Sequence, residues 1–578
     1  MHPESFIVGK DASLESSISS MQAKLLALGF HIEERSWLNP VDGIWSVHVR
    51  DRDCPLMFTN GKGASKLASL ASALGEYFER LSCNYFWSHY YLGQAYAEGD
   101  ARAFVHYPQE RWFAPGEDGA WPQGLLTPEL QQFYNPRDSI DASALVDFNS
   151  GNTERGICAI PYVRQRDEAV VYFPVNVISN LYVSNGMSAG NTQAEARTQA
   201  LSEIFERHIK FRIISEGLCL PDVPQNVINR YPGIAAGIQG LRAAGFGIVV
   251  KDASLGGQYP VMNVTLLNPN DQGVFSSFGA HPRFEIALER ALTELLQGRA
   301  LDALAGFPEA GFDLEEIASS PNLEIHFVDS SGIISWNFLG SQPDFAFNDW
   351  NFSSTTAEDY AWLVASVHAN GHDIYVADFT HLGVYACRTI VPGMSEIYPI
   401  DELEWENNSV ANPIREAICN LPELDNEECS DLLDTLNESG LTDERLVAAL
   451  IGLAPGDNAF WKDLRVGELK TLLALACANE QAINEGCEWI RHFGQINTER
   501  RRVYSCIESL QKLDDATRFG DALQSLYGSE TLRQADALLK GELRFFDQPS
   551  LGLNLANCEM HQRLLAAYSK LHKADQPV

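Results

Sequence analysis

Two spacings of hydrophobic residues, one typical of strands and one typical of helices, occur in turn along roughly the first 400 residues of the chain. Alternation of apolar and polar residues predicts five strands: Ile44–Val49, Ile248–Val250, Val261–Leu266, Ile374–Ala377 and Val384–Val391. Apolar residues at helical spacing predict three helices: Leu67–Cys83, Ala194–Ile214 and Phe284–Leu304. Because the strands and helices do not alternate regularly, we predict a mixed α/β (α+β) fold rather than a doubly wound parallel sheet.

The pattern changes after residue 405, where strand-like alternation gives way to helical spacing. The predicted helices are Leu446–Leu453, Leu469–Ala478, Ala482–Phe493, Val503–Leu513, Ala522–Leu526, Leu532–Leu543 and Met560–Leu571. Paired helices with short connections are typical of α-solenoids, so we predict a tetratricopeptide-like helical domain over residues 406–578. Residues 1–405 form the other predicted domain, and the acidic segment Asp401–Asn408 is the predicted linker.

The net charge of the chain limits which classes of partner we expect it to bind. The chain has 42 basic and 77 acidic residues and a net charge of −35. Such a protein repels nucleic acid and anionic membranes, so we expect direct binding of neither and favour a basic protein partner. ATP is also an anion, and its binding here would need metal ions to bridge the charges.

Cysteine spacing and hydropathy favour a cytoplasmic protein. The eleven cysteines are scattered and form no C-x-x-C pair, so neither a zinc nor an iron–sulfur site is expected. Their odd number without regular spacing is typical of reduced thiols. Residues 1–20 lack the apolar core of a signal peptide, and no apolar run approaches the roughly 18 residues of a membrane helix.

A short sequence motif, which we call the acidic phrase, occurs three times: at Leu74–Arg80, at Leu201–Arg207 and, more weakly, at Leu292–Gln297. Its carboxylates are Glu76 and Glu79 in the first copy, Glu203 and Glu206 in the second, and Glu294 in the third. Residues three apart share a helix face, so each of the first two copies presents a carboxylate pair. Facing helices would form a cage of like charges that a cation must compensate. Because Mg²⁺ prefers oxygen ligands and is often bound together with phosphates, the repeat predicts a Mg²⁺–nucleotide site.

A glycine-containing segment precedes each acidic helix: Asn60–Ser65, Asn185–Thr192 and Phe278–Pro282. We interpret these segments as loops that present backbone N–H groups and a helix N-terminus to phosphate. None matches the Walker pattern, because Lys62 lacks the earlier glycine and is followed by Gly63. A single such segment is weak support, whereas three that lead to matched acidic helices are stronger.

Simpler interpretations exist for several of these residues. Glu76 and Arg80 have the spacing of an ordinary ion pair on a solvated helix face. Repetition of the phrase, with aromatic residues between its carboxylates, favours the buried metal cage instead. Glu195 completes a capping box with Thr192, which is an alternative to a role as metal ligand.

Three basic residues leave alternatives open. Arg290 lies one turn before Glu294 and has either that carboxylate or a phosphate as its partner. Lys10 is by default a surface lysine. His281, before Pro282, is interpreted as a residue at the start of a helix rather than as a base. No hydrolase triad is recognisable, since the chain has neither G-x-S-x-G nor H-E-x-x-H.

Taken in order, these motifs resemble the YcaO family over roughly residues 1–400. The family's S-x-x-x-E-x-x-E-R helix is matched by Ser72, Glu76, Glu79 and Arg80. Its second acidic helix and preceding N-G-x-[SA]-x-G loop are matched by Asn185, Gly186, Asn191, Glu195, Glu203, Glu206 and Arg207. Its third helix is matched by Arg290, Glu294 and Gln297, and the turn Val391–Met394 is similar to its late motif.

The resemblance implies roles for these residues. The implied nucleotide contacts are Lys10, Ser17, Ser72, Asn191, Arg207, Arg290 and Gln297. The implied metal ligands are Glu76, Glu79, Glu195, Glu203, Glu206 and Glu294. The implied catalytic residues are Glu76, Glu203, Glu206 and Arg207. ATP and Mg²⁺ are the implied cofactors, and a homodimer is the implied oligomer.

Members of the family activate an amide carbonyl oxygen by ATP-dependent phosphorylation or adenylation, and their products are azolines or thioamides. Such an enzyme needs no covalent nucleophile, because the metal and the arginines stabilise the transferring group. Azoline-forming members usually end in a Pro-rich tail, whereas this chain ends Lys573-Ala574-Asp575-Gln576-Pro577-Val578 after a helical domain. That difference argues against cyclodehydration.

A YcaO core followed by a helical domain resembles the family branch of accessory factors to a RimO-type methylthiotransferase, which methylthiolates an aspartate of a small-subunit ribosomal protein. Our leading hypothesis is therefore an ATP-hydrolysing accessory factor. The first alternative is a peptide-modifying enzyme that makes azolines or thioamides from a peptide substrate. The second is a non-catalytic scaffold in which ATP only stabilises the core.

Overall fold

The computed structural model describes residues 4–93, 104–552 and 555–574. Its strands form three antiparallel sheets, which confirms the predicted mixed fold. Sheet A has the order β1 (Ile32–Val41), β2 (Ile44–Asp51), β3 (Phe58–Gly63). Sheet B has the order β4 (Arg111–Phe113), β5 (Ile157–Arg164), β11 (Tyr375–Phe379), β12 (Tyr385–Ile390), β7 (Met187–Gly190), with β6 (Val170–Pro174) also paired to β5. Sheet C has the order β10 (Val274–Ala280), β9 (Val261–Leu267), β8 (Gly247–Asp252).

Helices pack on and between these sheets. The first eleven are α1 (Leu14–Ala27), α2 (Lys66–Ser82), α3 (Pro128–Tyr134), α4 (Val175–Val177), α5 (Gln193–Glu216), α6 (Gln225–Ile228), α7 (Pro232–Ala243), α8 (Phe284–Leu295), α9 (Leu314–Ile317), α10 (Ser320–Val328) and α11 (Thr356–Ala369). None of the helices in the described parts of the chain is long and apolar enough to cross a bilayer.

Each acidic phrase follows a strand at the edge of a sheet: β3 leads into α2, β7 into α5 and β10 into α8. The three glycine segments predicted as loops are therefore strand ends, and that prediction was wrong in this respect. Gly61 and Gly279 stand at equivalent positions, 15 residues before Glu76 and Glu294. A Cβ at Gly61 would lie 2.0 Å from the Ser69 oxygen, and one at Gly279 would lie 2.5 Å from the Ala287 oxygen. Glycine is needed because each helix crosses directly over its strand.

Helix α5 is the centre of this arrangement. It is 24 residues long and buries apolar side chains on several sides, including Leu201, Ile204 and Phe205. This agrees with the expectation that the acidic helices are not simply polar. The third predicted helix was too long: α8 ends at Leu295, and Gly298, with φ +71°, follows the end of the helix.

The chain after residue 400 is helical, as predicted. Its helices are α12 (Glu402–Trp405), α13 (Arg415–Cys419), α14 (Asn426–Glu438), α15 (Val447–Ile451), α16 (Ala459–Asp463), α17 (Val466–Ala476), α18 (Glu480–Phe493), α19 (Thr498–Lys512), α20 (Gly520–Tyr527), α21 (Ser529–Leu539) and α22 (Glu559–Ala574). The predicted linker is packed rather than loose, because Leu403 is fully buried and the Asn407 amide donates to the Ala144 oxygen at 3.1 Å.

Helix α22 returns to the N-terminal part of the molecule. Leu564, Tyr568 and Leu571 share one hydrophobic core with Tyr77 of α2 and with Trp87. The Trp87 indole also donates to the Leu564 carbonyl at 3.1 Å. The chain end was compared above with a Pro-rich tail. From Asp575 onward, that end lies outside the described residues.

Candidate functional site

Helix α2 contributes two carboxylates with different surroundings. The Arg80 guanidinium donates to Glu76 Oε1 from Nε at 2.9 Å and from Nη2 at 2.6 Å, so the ordinary ion pair expected at this spacing is present. Among the described residues, Glu79 has no hydrogen-bonding or ion-pair partner. Burial, reinforced by the nearby Glu203 and Glu76 carboxylates, raises the pKa of Glu79 well above its usual range. Glu79 thus has no direct positive partner, although the nearby Arg80 and Arg207 charges offset part of the rise in its pKa.

Helix α5 carries a line of polar side chains spaced one turn apart. The Gln199 amide donates to Glu203 Oε1 at 3.0 Å and accepts a hydrogen bond from Arg290 of α8. Arg290 Nη2 lies 3.5 Å from Glu206. Arg290 therefore pairs with α5 and not with Glu294 of its own helix, so the first of its two alternatives was wrong and the phosphate contact stays a prediction.

The Arg207 side chain is held between two partners. Its Nη2 lies 3.7 Å from Glu203, and its Nη1 donates to Asn185 Oδ1 at 3.0 Å. The Asn185 amide in turn donates to the Ser395 carbonyl at 2.7 Å, just after the turn Val391–Met394. The late turn therefore orients Arg207 through Asn185.

Lys62 of β3 contacts the carboxylate of the third acidic helix, Glu294. Burial and the nearby Arg290 lower the pKa of Lys62 to about 8, while Glu206, Glu203 and Glu76 oppose that change. Lys62 was not predicted at the site, since in the sequence it only fails to match the Walker pattern. Its position beside Gly61, at the end of the strand before an acidic helix, could have indicated it.

We call the side chains around this point the carboxylate cluster: Glu76, Glu79, Glu203, Glu206 and Glu294 with Lys62, Arg80, Arg207 and Arg290. Gln297, expected on the third helix, lies just after the end of α8, and its amide donates to the Asn60 carbonyl of β3. Ser72 lies one turn before Glu76 with its side chain exposed. The structure brings both residues to the elements that carry the cluster.

A second group of predicted residues lies at the start of α5. Glu195, 4 % exposed, pairs with Lys10 at 3.1 Å and accepts from the Asp11 backbone N–H at 3.2 Å. Ser17 donates to Asn191 Oδ1 at 2.8 Å, and the Asn191 amide donates to Glu195 at 3.1 Å. Lys10 is exposed, as the default interpretation expected, and it is also the ion-pair partner of a buried carboxylate.

The capping interpretation of Glu195 is only half right. Thr192 caps α5 by accepting from the Glu195 backbone N–H at 3.2 Å. The Glu195 carboxylate, however, binds the N-terminal segment instead of returning to Thr192. His281 matches its prediction: its Nδ1 accepts from the Arg283 backbone N–H at 3.0 Å, immediately before α8.

The donor set fits a hard divalent cation. Within the described parts of the chain, no three carboxylate, imidazole or thiolate side chains form a ready metal-binding group. The carboxylates face Lys62, Arg80, Arg207 and Arg290 instead, which is how a cluster of like charges is compensated by protein alone. Carboxylate oxygens carried by three neighbouring helices, with Glu79 unpaired, are ligands of the type that Mg²⁺ prefers.

Two family models cover most of the chain. The model described as YcaO cyclodehydratase, ATP- and Mg²⁺-binding, matches residues 60–395. The model of the YcaO cyclodehydratase C-terminal domain matches residues 411–577.

Similar proteins over the full length were found in two bacteria. One is the ribosomal protein S12 methylthiotransferase accessory factor YcaO of Escherichia coli, 49% identical over 580 residues that cover 99% of this chain and 98% of that protein. The other is an uncharacterized protein of Haemophilus influenzae, 49% identical over 584 residues and 99% of both chains.

Solved structures show more distant likeness. A heterocyclase in complex with substrate and cofactor has a TM-score of 0.45 and 19% identity, over 68% of this chain and 55% of its own. YcaO from Methanopyrus kandleri, bound with AMPPCP and Mg²⁺, has a TM-score of 0.43 and 16% identity, over 68% of this chain and 95% of its own.

Proposed function

This chain belongs to the YcaO family, a family of ATP- and Mg²⁺-binding proteins, and from that membership we propose that it is an ATP-hydrolysing accessory factor in ribosomal-protein modification. Its role would be to assist a RimO-type methylthiotransferase in the β-methylthiolation of an aspartate in a small-subunit ribosomal protein. The observation that carries this proposal is the 49% identity, over 99% of the chain, to the E. coli accessory factor.

We assign the nucleotide contacts to the residues that flank the carboxylate cluster: Lys10, Ser17, Ser72, Asn191, Arg207, Arg290 and Gln297. The metal ligands are Glu76, Glu79, Glu203, Glu206 and Glu294, together with Glu195 once Lys10 releases it. When bound, Mg²⁺ neutralises phosphate charge and the charge that develops on the transferring group.

The residues of the chain position the reacting groups. Glu76, Glu203 and Glu206 line the cluster, and Arg207, held by Asn185, would stabilise the negative charge that develops on the transferring group. The carboxylate of Glu79, which has no hydrogen-bonding partner among the described residues, supports this assignment, because a bound cation would stabilise its charge beside Glu76 and Glu203.

The electrostatic character of the chain supports a basic partner. A net charge of −35 favours association with a basic ribosomal protein through long-range attraction. We propose that the protein works in the cytoplasm, where such a partner is made, and that it is a homodimer.

The test is ATP turnover by the purified protein with Mg²⁺, with ADP, AMP, phosphate and pyrophosphate resolved. We expect turnover in the natural chain and its loss in Glu203→Gln. The matched control is Glu216→Gln, because Glu216 lies on the same helix, is half-exposed and, among the described residues, pairs only with Arg212 at 3.0 Å. Turnover that survives in Glu203→Gln would contradict the assignment of the carboxylate cluster.

A second candidate function is activation of a peptide amide, with an azoline or thioamide as product. The description of both family models as cyclodehydratase favours it. Mass spectrometry of a candidate peptide after reaction would show loss of water or exchange of oxygen for sulfur, and Glu203→Gln would abolish either change. An unmodified peptide under conditions of full ATP turnover would count against this function.

A further inference from the structure

Lys62 supplies a positive charge from outside the three acidic helices. Its side chain extends from edge strand β3, is 21% exposed and contacts Glu294 of α8. The remaining cations of the cluster, Arg80, Arg207 and Arg290, are each carried by an acidic helix. Lys62 therefore links sheet A to the carboxylates, and neither family resemblance nor motif spacing assigned it a role.

Several carboxylates lie near enough to Lys62 to favour its charge, although burial and Arg290 outweigh them and lower its pKa. Besides Glu294, the carboxylates of Glu76, Glu203 and Glu206 act on its charge, and Arg290 opposes them. These carboxylates come from α2, α5 and α8, which would repel one another without a cation between them.

Lysine suits a counter-ion that must move. Its ammonium is a compact charge on a flexible stem of four carbons, whereas arginine holds a carboxylate in a fixed fork. Arg80 holds Glu76 by two such hydrogen bonds. Lys62 can turn about its stem while Arg80 keeps its partner.

We propose that Lys62 is the counter-ion of the carboxylate cluster in the nucleotide-free protein, and that it leaves Glu294 to contact phosphate oxygens when Mg²⁺ and ATP bind. This inference rests on the proposed ATP-binding function. Charge balance requires the exchange: Glu294 becomes available as a metal ligand, and the phosphate chain supplies the negative charge that the ammonium then needs.

The experiment is calorimetric titration of Lys62→Met, first with Mg²⁺ alone and then with Mg²⁺ and a non-hydrolysable ATP analogue. Without its resident counter-ion, the cluster should bind Mg²⁺ alone on the order of tenfold more tightly than in the natural chain. The ATP analogue should bind on the order of tenfold more weakly, because a contact from a charged donor to phosphate is lost. Lys66→Met is the matched control, since Lys66 is exposed and lies outside the cluster. Its Nζ lies 4.6 Å from the centroid of the Trp37 ring.

Unchanged Mg²⁺ affinity in Lys62→Met would overturn the counter-ion role, and unchanged affinity for the analogue would overturn the phosphate contact. If Lys62→Met does not fold, Lys62→Gln carries the same test, because it also removes the charge. Failure of the natural chain to bind the analogue would instead remove the proposed function. The titration with Mg²⁺ alone would still decide the counter-ion role.

Discussion

Replacement of Tyr568 by alanine tests whether the C-terminal helix supports the nucleotide site. Tyr568 is fully buried on α22, and its ring meets that of Trp87 edge-on with centroids 5.1 Å apart. The same core contains Tyr77 and Phe78, the two residues between Glu76 and Glu79 in the first acidic phrase. A cavity at Tyr568 therefore opens in the same core that buries one side of the helix carrying two of the five carboxylates.

The expected loss follows from the size of the side chain. Truncation of a fully buried large aromatic residue to alanine costs about 3–5 kcal/mol, as lost transfer free energy plus an unfilled cavity. Part of this, about 0.5–1.5 kcal/mol, belongs to the edge-on contact with Trp87. Loosening of α2 should also displace Glu76 and Glu79, so the apparent affinity for Mg²⁺ and ATP should fall together with stability.

The assay is urea unfolding followed by tryptophan fluorescence, with and without Mg²⁺ and the ATP analogue. A chain of this size need not unfold in two states, so the midpoint of the first transition is compared rather than one free energy. Arg563→Ala is the control on the same helix, because Arg563 is half-exposed and, within the described parts of the chain, pairs only with Glu559 at 2.9 Å. Such a surface change should alter stability by no more than about 0.5 kcal/mol.

Equal first-transition midpoints for Tyr568→Ala and Arg563→Ala would refute the packing of α22 behind α2. A lower midpoint with unchanged nucleotide affinity would refute only the link to the site.

Two further predictions concern other buried charges. Arg500→Met should destabilise the helical region by about 3–5 kcal/mol in thermal unfolding. The reason is that the fully buried Glu468 carboxylate loses its hydrogen bonds of 2.7 and 3.1 Å from the Arg500 guanidinium. A loss of stability no larger than that caused by Arg502→Met, at an exposed arginine, would contradict this prediction. Burial lowers the pKa of Lys210 to about 8 from 10.5, so its charge opposes folding below pH 8 and that penalty fades as pH rises to 10.5. Relative to Lys210→Met, the natural chain should gain up to about 3 kcal/mol over that interval, and a pH-independent difference in unfolding free energy would refute the role of burial.

The position of α22 also changes how the scaffold hypothesis can be tested. Deletion of the chain after residue 410 would separate the helical region from the ATP-binding core only if that core were complete without it. Leu564, Tyr568 and Leu571 complete the hydrophobic core behind α2, so such a deletion would expose it. Surface substitutions in the helical region are therefore the better experiment.

Much of the fold could be predicted because helix and strand periods are local. The segments Leu67–Cys83 and Ala194–Ile214 match α2 and α5 within two residues at each end. The error at the end of α8 has a local cause too: Gly298 adopts positive φ after a helix that apolar spacing alone would continue. The glycine segments were misassigned because an edge strand and a loop share the same residues, and only pairing distinguishes them.

The sequence identified candidate residues of the site better than it identified the contacts between them. The repeated phrase was enough to predict that Glu76, Glu79, Glu203, Glu206 and Glu294 act together. Partner choice was not predictable, since Arg290 has the spacing to reach Glu294 but pairs with Gln199 and Glu206. Lys10 is 185 residues from Glu195, a separation that no local pattern can bridge.

The sequence by itself determined the mixed core, the helical C-terminal region, the family and the set of acidic residues, because periodicity and repeated motifs are properties of neighbouring positions. Only the tertiary structure decided which cation compensates which carboxylate, that Lys62 belongs to the cluster, and that α22 shares one hydrophobic core with α2. Those facts depend on distances between residues far apart in the chain. Such distances are set by the packing of sheets and helices, where burial makes every unpaired charge costly.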